Sequence, residues 1–316
     1  MAPAHLRVGT RGSPLARVQT RAFIGLLRAT NPALRDEDAV VEQIIRTTGD
    51  MVQDRRLADI GGKGLFSKEI HEALSDRRID CAVHSLKDLE TTLPPGIVLA
   101  CTLAREDARD ALILGPACAA PDPANPYAAL PQASVVGTGS VRRQAQMLHA
   151  RPDLSTALIR GNVQTRLGRV RDGDFAASLL ALAGLRRLGL EAEASVVLDP
   201  DFMVPAAGQG IIGVTARADD DAVLELLAAV GDLASGIAAT AERALLGELD
   251  GSCRTPIGGH ARVLADGTLE LTGLVARADG GFLLKRRLHG ATVEAAAIGV
   301  ALGRSLRADS PSDLFA

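Results

Sequence analysis

The fold of this chain is decided by the stretch Val135-Val136-Gly137-Thr138-Gly139-Ser140-Val141-Arg142-Arg143. The two valines indicate the end of a buried strand, and the Gly-Thr-Gly-Ser sequence after them is typical of a tight turn. Ser140 stands where a helix N-cap belongs, so Arg142 and Arg143 fall in the first helical turn. Because the helix macrodipole already places partial positive charge in that turn, two arginines there cost stability.

Two interpretations of this turn are open. In the first, a bound anion compensates the arginines and is held by backbone N–H groups and by guanidinium groups, which suit carboxylate or phosphate. In the second, both arginines are solvated surface residues. The turn taken alone does not decide between them.

A strand followed by a turn and a helix recurs elsewhere, each time with arginine near the junction. These arginines are Arg11 before a helix capped by Ser13, Arg166 after a strand over 157–160, and Arg187 after a strand over 175–182. Cations at such positions repel one another unless an anion joins them, so the pattern predicts a site for a polyanion. On this hypothesis, replacing Arg142 or Arg166 by leucine impairs function and raises stability by a few tenths of a kcal/mol.

Composition narrows the class of protein. The chain has 316 residues, 47% hydrophobic content and a formal net charge of −3, as expected for a globular protein of two or three domains. Aromatic residues are only 2%, which argues against a nucleic-acid binder that stacks bases. We find neither a signal peptide nor an apolar run of membrane-spanning length, and the four cysteines lack CxxC spacing. We therefore expect a cytoplasmic protein without a metal site and without nucleic-acid or membrane partners.

Two further segments carry candidate chemistry. The glycine-rich loop Asp59-Ile60-Gly61-Gly62-Lys63-Gly64-Leu65-Phe66 lacks Walker spacing, and it is either a lid at a ligand or a plain connection. The stretch from Asp80 to Asp88 starts as a buried strand and ends in Lys87 and Asp88, at the place where open α/β sheets bind ligands. Asp88 can serve acid–base chemistry there, although a solvated surface ion pair is the alternative.

One cysteine stands in a loop of small and cationic residues. Cys253 lies within Asp250-Gly251-Ser252-Cys253-Arg254-Thr255-Pro256-Ile257-Gly258-Gly259, and Arg254 beside it favours the thiolate. Inert packing is the alternative, because most cysteines are packing residues. Cys81 and His84, in an apolar strand, are interpreted as packing residues.

The periodicity also predicts how the chain is divided. We expect domain 1 over 1–103 with 210–230, domain 2 over 106–207, and domain 3 over 232–316. A strand at 211–215 returns to domain 1, and a helical pattern covers 222–249. A hairpin spans 268–289 around Ala278-Asp279-Gly280-Gly281, and a last helix covers about 293–307.

With these segments identified, the chain resembles the porphobilinogen deaminase family over nearly its whole length. The resemblance rests on six ordered motifs, which are Thr10-Arg11-Gly12-Ser13-Pro14-Leu15-Ala16, Gly61-Gly62-Lys63-Gly64-Leu65-Phe66, His84-Ser85-Leu86-Lys87-Asp88, Gly137-Thr138-Gly139-Ser140-Val141-Arg142-Arg143-Gln144, Arg160-Gly161-Asn162-Val163-Gln164-Thr165-Arg166-Leu167 and Gly251-Ser252-Cys253-Arg254-Thr255-Pro256-Ile257-Gly258. The chain departs from the family at Gly139, where a second serine is usual, and at Glu90, where proline is usual.

The resemblance implies a transferase of porphyrin, heme and tetrapyrrole biosynthesis. It condenses four porphobilinogen molecules head to tail, with release of ammonia, into hydroxymethylbilane on a dipyrromethane cofactor bound covalently at Cys253. The implied fold is α/β, with two doubly wound domains of periplasmic-binding-protein type and a small α+β third domain that carries Cys253. A monomer with this one small-molecule substrate is expected.

The resemblance also assigns site residues. Asp88 and Lys87 match the catalytic residues. The residues implied for cofactor binding are Cys253, Ser85, Lys87, Asp88, Thr138, Ser140, Arg142, Arg143, Arg160 and Gly161. The residues implied for substrate binding are Arg11, Ser13, Gln19, Lys63, Phe66, Arg166 and Arg187. No metal ligand is implied.

Two other classes of protein remain as alternatives. A non-catalytic carboxylate-binding receptor explains the arginines but leaves Asp88 and Cys253 without a task. A nucleic-acid binder uses the same arginines, but the net charge and the few aromatic residues oppose it. The mass of the intact protein discriminates, because only the deaminase carries a covalent pyrrolic adduct.

Overall fold

A computed structural model describes residues 5–51, 64–249 and 255–315. The chain divides into two compact units. The first comprises Met1–Val52, Gly62–Glu106 and Ile211–Gly236, and the second consists mainly of Asp107–Gly210 and Ile237–Ala316. The separate third domain at 232–316 therefore stays a prediction, since the second unit contains Ile237–Ala316 together with Asp107–Gly210.

The secondary structure follows the strand–turn–helix pattern of the sequence. The strands are β1 Leu6–Arg11, β2 Val40–Ile45, β3 Cys81–Ser85, β4 Ile97–Thr102, β5 Asp110–Leu114, β6 Val135–Gly137, β7 Ser155–Ala157, β8 Ala177–Ala181, β9 Val196–Val197, β10 Ile212–Arg217, β11 Ile257–Val263, β12 Thr268–Ala276 and β13 Leu283–Ala291. The helices are α1 Pro14–Thr30, α2 Thr48–Met51, α3 Lys68–Ser75, α4 Val141–Ala150, α5 Val163–Arg171, α6 Leu182–Arg187, α7 Asp221–Ala228, α8 Leu233–Glu248 and α9 Ala295–Ala308.

The first unit contains a five-stranded sheet with the order β2-β1-β3-β10-β4. Strands β1, β2 and β3 are parallel, and β10 is antiparallel to both of its neighbours. Phe23 and Leu27 of α1 are buried on one face of the sheet, with Leu227 of α7. Ile70 and Leu74 of α3 are buried on the other. The predicted return of the chain to this sheet near residue 211 is confirmed.

The second unit repeats the same plan in its own five-stranded sheet, with the order β7-β6-β8-β5-β9. Strands β6, β7 and β8 are parallel, and β5 is antiparallel to β8 and β9. Met147 of α4 packs on one face. Leu167 of α5 and Leu185 of α6 pack on the other.

The two sheets match strand for strand. In each sheet order the first three strands are parallel and the fourth is antiparallel to both of its neighbours. Strand β1 therefore corresponds to β6, β3 to β8 and β10 to β5. Helices cover both faces in each case, so both sheets are doubly wound, as predicted. The turns after β1 and β6 are therefore equivalent, and so are the turns after β3 and β8. Ligands of such sheets bind beyond these carboxyl ends.

The remaining sheet is antiparallel, with the order β11-β12-β13. The predicted hairpin joins β12 to β13, and Thr268 lies opposite Ala291 at its open end. Leu245 of α8 and Leu302 of α9 pack in the same core as the sheet. This small α+β part completes the predicted α/β fold class.

The helical pattern predicted over 222–249 forms two helices and not one. Helix α7 ends at Ala228, and α8 begins at Leu233. The break is stabilised by Asp232, whose Oδ1 accepts a hydrogen bond of 2.7 Å from the Ser235 amide, as a helix cap does. Among the described residues no single helix is long and apolar enough to cross a membrane. In the described part of the chain, α7 and α8 together meet the length and composition of a span, but they are bent by 111° at the break between them.

Candidate functional site

A pocket lies at the carboxyl-end edge of the first sheet. It gathers six of the residues that the resemblance implied, namely Arg11, Ser13, Gln19, Phe66, Ser85 and Asp88. Leu15, Ala16, Val83 and His84 complete its lining. The parallel strands β1 and β3 end at this edge, which brings residues far apart in the chain to one place.

Arg11 is held in the wall of this pocket from two sides. Its Nη2 and Nε donate to Asp50, at 2.5 and 3.1 Å. Its guanidinium carbon lies 3.9 Å from the centroid of the Phe66 ring, a cation–π contact. Burial raises the pKa of Asp50, but the bonds from Arg11 and Thr47 outweigh it and lower that pKa overall. The Arg11 side chain remains 21% exposed, so an incoming carboxylate reaches an oriented guanidinium.

Ser13 and Gln19 have structural tasks in the same pocket. Ser13 caps α1 as predicted, and its hydroxyl accepts from the Ala16 amide at 3.3 Å. Gln19 is buried, and the Ser85 hydroxyl lies 3.1 Å from both the nitrogen and the oxygen of its amide. Gln19 therefore orients Ser85 at the end of β3.

Lys87 and Asp88 lie in a short 3-10 turn, Leu86–Asp88, directly beyond β3. Both side chains are exposed. Leu86 and Leu89 on either side are buried, which holds the backbone of the turn against the core. The structure thus places Asp88 at the pocket with its carboxylate open to a ligand.

The packing interpretation of His84 and Cys81 is confirmed. Both side chains are buried, and His84 Nε2 lies 2.9 Å from the Thr215 hydroxyl. Burial, with the neighbouring His71 and Arg11, lowers the pKa of His84 to about 3. The imidazole therefore stays neutral at physiological pH, and it is not a proton donor for the pocket.

In the second unit, the turn after β6 is built as the sequence predicted. Ser140 caps α4 through a 3.4 Å bond from the Arg143 amide. The Ser140 amide in turn donates to the hydroxyl of the buried Thr138 at 3.1 Å. Thr138 and Ser140 thus fix the turn that precedes the two arginines.

The interpretation of Arg142 and Arg143 as solvated surface residues is wrong. Both arginines are buried, and the carboxylate of Asp110, which is 0% exposed, accepts from Arg142 at 2.8 Å and from Arg143 at 2.8 and 3.2 Å. Backbone carbonyl groups take further guanidinium donors, at Val204 and Leu179. Burial raises the pKa of Asp110, but the two arginines and Gln209 together outweigh it and lower that pKa. The anion that compensates the two arginines is therefore the carboxylate of Asp110, a residue of the chain itself.

Gln209 completes this cluster. It is buried, and its amide nitrogen donates to Asp110 at 2.8 Å and to the Ala108 carbonyl at 2.7 Å. Neither Asp110 nor Gln209 was identified from the sequence as part of a site. Their one visible signal was the polar residue inside Gly208-Gln209-Gly210.

Three further predicted arginines, Arg160, Arg166 and Arg187, are half-buried. Arg166 donates from Nε to the Gly161 carbonyl at 3.0 Å, so the structure brings this predicted pair together. Gly161 has a φ of +106°, a conformation that favours glycine and explains its place in the turn after Arg160. Arg187 donates to the Gly210 carbonyl at 2.7 Å.

Two predicted site residues, Lys63 and Cys253, lie outside the described residues. The other three cysteines are not activated, because burial raises the pKa of Cys81, Cys101 and Cys118, that of Cys101 to about 12. No group of three metal-ligating side chains occurs within 5–51, 64–249 and 255–315.

The Asp110 cluster reverses the effect on stability that the sequence predicted for Arg142→Leu, from a small gain to a loss. Arg142→Leu leaves a buried carboxylate with one guanidinium fewer, so we expect the free energy of unfolding to fall by about 2 kcal/mol or more. Arg166→Leu removes a half-buried side chain, so its effect should stay within about 0.5 kcal/mol. Urea unfolding of the two variants measures the difference. Equal stabilities would show that the Asp110 contacts contribute little.

Comparison with known proteins adds independent information. The model of the porphobilinogen deaminase dipyrromethane cofactor binding domain matches residues 6–225, and that of the porphobilinogen deaminase C-terminal domain matches 236–308. The chain is 46% identical to a porphobilinogen deaminase of Paracoccus denitrificans, over 98% of this chain and 96% of the relative. It is 47% identical to one of Sorangium cellulosum, over 96% and 99%. It is 49% identical to a chloroplastic one of Oryza sativa, over 87% and 75%.

Proposed function

The chain belongs to the porphobilinogen deaminase family, and from this premise we propose that it condenses four porphobilinogen molecules head to tail into hydroxymethylbilane, with release of ammonia. The role of a transferase in tetrapyrrole synthesis follows from the family itself. The observation that carries the finer proposal is the pocket where Arg11, Ser85 and Asp88 meet at one sheet edge.

The chain carries the dipyrromethane cofactor binding domain of its family. We propose that the cofactor is joined to Cys253 by a thioether, where it supplies a fixed end to which new pyrrole units are added. Each pyrrole bears two carboxylates, so it needs several guanidinium donors. The partly exposed Arg11 and the half-buried Arg160, Arg166 and Arg187 fit this requirement.

Arg142 and Arg143 support the binding of a carboxylate ligand in a different way. Their two positive charges face the single negative charge of Asp110, which leaves an excess of one positive charge in a buried cluster. Such an excess of positive charge favours an anion bound nearby, and the turn at Ser140 immediately precedes the two arginines. We therefore keep both arginines, with Thr138, Ser140 and Gly161, as proposed cofactor-binding residues.

Asp88 is the proposed catalytic residue. Its exposed carboxylate accepts pyrrole N–H groups and stabilises positive charge on the ring as the amino group leaves. Lys87 beside it is the second proposed catalytic residue, and it is also proposed to bind a carboxylate of the cofactor. The remaining proposed substrate contacts are Ser13, Gln19, Lys63 and Phe66. Gln19 also orients Ser85 through a hydrogen bond.

The proposal includes the setting of the reaction. We propose a cytoplasmic monomer that acts on the small molecule porphobilinogen, without a nucleic-acid or membrane partner. The low aromatic content and the net charge of −3 support the part of this proposal that excludes nucleic-acid and membrane partners.

A direct assay tests the function. Purified protein given porphobilinogen should form hydroxymethylbilane and release one ammonia for each porphobilinogen consumed. The measurement is ammonia together with the absorbance of the oxidised product. Saturable binding of porphobilinogen without any ammonia would instead support the carboxylate-binding receptor.

A further inference from the structure

Glu90 lies two residues beyond the proposed catalytic Asp88 and makes a contact that neither the resemblance nor the family comparison assigns. Its Oε2 accepts a hydrogen bond of 2.7 Å from the hydroxyl of Ser67, which is 1% exposed. The bond joins the turn that carries Asp88 to the segment just before α3. Both partners belong to the first unit.

The backbone of that segment approaches Glu90 closely. Gly64 has a φ of +83°, and a β-carbon there would collide with Glu90 Oε1. The Gly64 carbonyl accepts the amides of Ser67 and Lys68 at 3.0 and 2.9 Å, which closes a tight turn. The Glu90 carboxylate therefore packs directly against this turn and anchors it.

The position of Ser67 indicates that the bond has a purpose other than capping. Ser67 is the N-cap residue of α3, but its hydroxyl makes no capping bond to the helix. A serine at this position ordinarily accepts from the helix backbone. Here it donates to Glu90 instead, and the carboxylate lies where the helix macrodipole favours negative charge.

The anchored segment contains Phe66, which touches the pocket. Phe66 stacks on Arg11, and the neighbouring Leu65 carbonyl accepts from the Gly49 amide at 2.8 Å. The Glu90–Ser67 bond thus ties the Asp88 turn to the segment that orients Arg11. Asp88 itself is exposed, so its position depends on the anchors beside it.

We propose that Glu90 is a positioning residue, which sets Asp88 relative to Arg11 and Phe66 through its hydrogen bond with Ser67. This rests on the proposed role of Asp88. A carboxylate displaced by about 1 Å loses much of its effect on a transition state while substrate binding changes little. The bond should therefore act on kcat rather than on KM.

The test compares Glu90→Ala and Ser67→Ala, which break the bond, with Glu90→Gln, whose amide oxygen still accepts it. We expect kcat to fall on the order of tenfold in the first two, with KM within about twofold of wild type. Glu90→Gln should stay within about twofold in both. Glu72→Ala, an exposed carboxylate on the same helix α3, is the matched control and should match wild type.

A second measurement does not depend on activity. Hydrogen exchange at the Ser67 and Lys68 amides should accelerate in Glu90→Ala and Ser67→Ala, and should stay at the wild-type rate in Glu90→Gln and Glu72→Ala. Ser67→Ala removes only a hydroxyl group, so it stays informative if Glu90→Ala does not fold.

The outcomes separate the two proposals. Unchanged exchange, wild-type kcat in both bond-breaking variants, or an equal loss in Glu90→Gln would each overturn the positioning role. A wild-type protein without deaminase activity would overturn the proposed function, while the exchange rates would still decide whether Glu90 anchors the turn.

Discussion

Cys253→Ala is expected to lack both the covalent adduct and all condensing activity. A thiolate is a strong nucleophile toward an electrophilic methylene-pyrrole, and the thioether formed does not hydrolyse readily. In the sequence, Arg254 directly follows the cysteine and favours the thiolate, and the two residues before it, Gly251 and Ser252, are small. Without this anchor the growing chain has no fixed end.

The measurement is the mass of the intact protein, followed by peptide mapping. Wild-type protein should carry the added mass of two pyrrole units on Cys253. Cys118→Ala is the matched control, because Cys118 is half-buried, its thiol contacts the Ala176 carbonyl at 3.1 Å, and burial raises its pKa. It should keep adduct and activity. An active Cys253→Ala protein without adduct would refute the proposed function.

Asp88→Asn should lower turnover on the order of 10²-fold or more, as with other positioned proton-transfer groups. The amide keeps the shape of the side chain but loses the negative charge that stabilises a cationic pyrrole. Since Asp88 is exposed, the substitution should leave folding intact. Single-turnover and steady-state rates measure the loss.

A second aspartate serves as control for this substitution. Asp36 is exposed and makes no side-chain capping bond, so Asp36→Asn should turn over at the wild-type rate. The melting temperature of both variants should match wild type. If Asp88→Asn stays within a few-fold of wild type, the chemistry belongs to another group.

The sequence predicted those features of the fold that depend on local patterns. The Ser13 and Ser140 caps, the β12–β13 hairpin and the strand that returns to the first sheet are all found. Each has a signal within a few residues, such as a cap before an apolar run or glycines between alternating strands.

The compensation of Arg142 and Arg143 was not predictable in the same way. Asp110 precedes them by more than thirty residues, and its role depends on complete burial, which a single acidic residue at a strand start does not reveal. Gln209 joins the same carboxylate from still farther along the chain. The cluster exists only after the second sheet has formed, so local rules misjudged its charge balance.

The insertion of β10 has a consequence for how the protein is made. His84 in β3 contacts Thr215 of β10, which lies 131 residues downstream, and β4 pairs with the same strand. At about 5–20 residues per second of synthesis, the ribosome exposes the edges of β3 and β4 for several seconds before β10 emerges. During that interval the five-stranded sheet of the second unit can already form, because all of its strands lie within Asp110–Val197. The sheet of the first unit is therefore expected to close after the five-stranded sheet of the second unit has formed, and its open strand edges are where a chaperone would act.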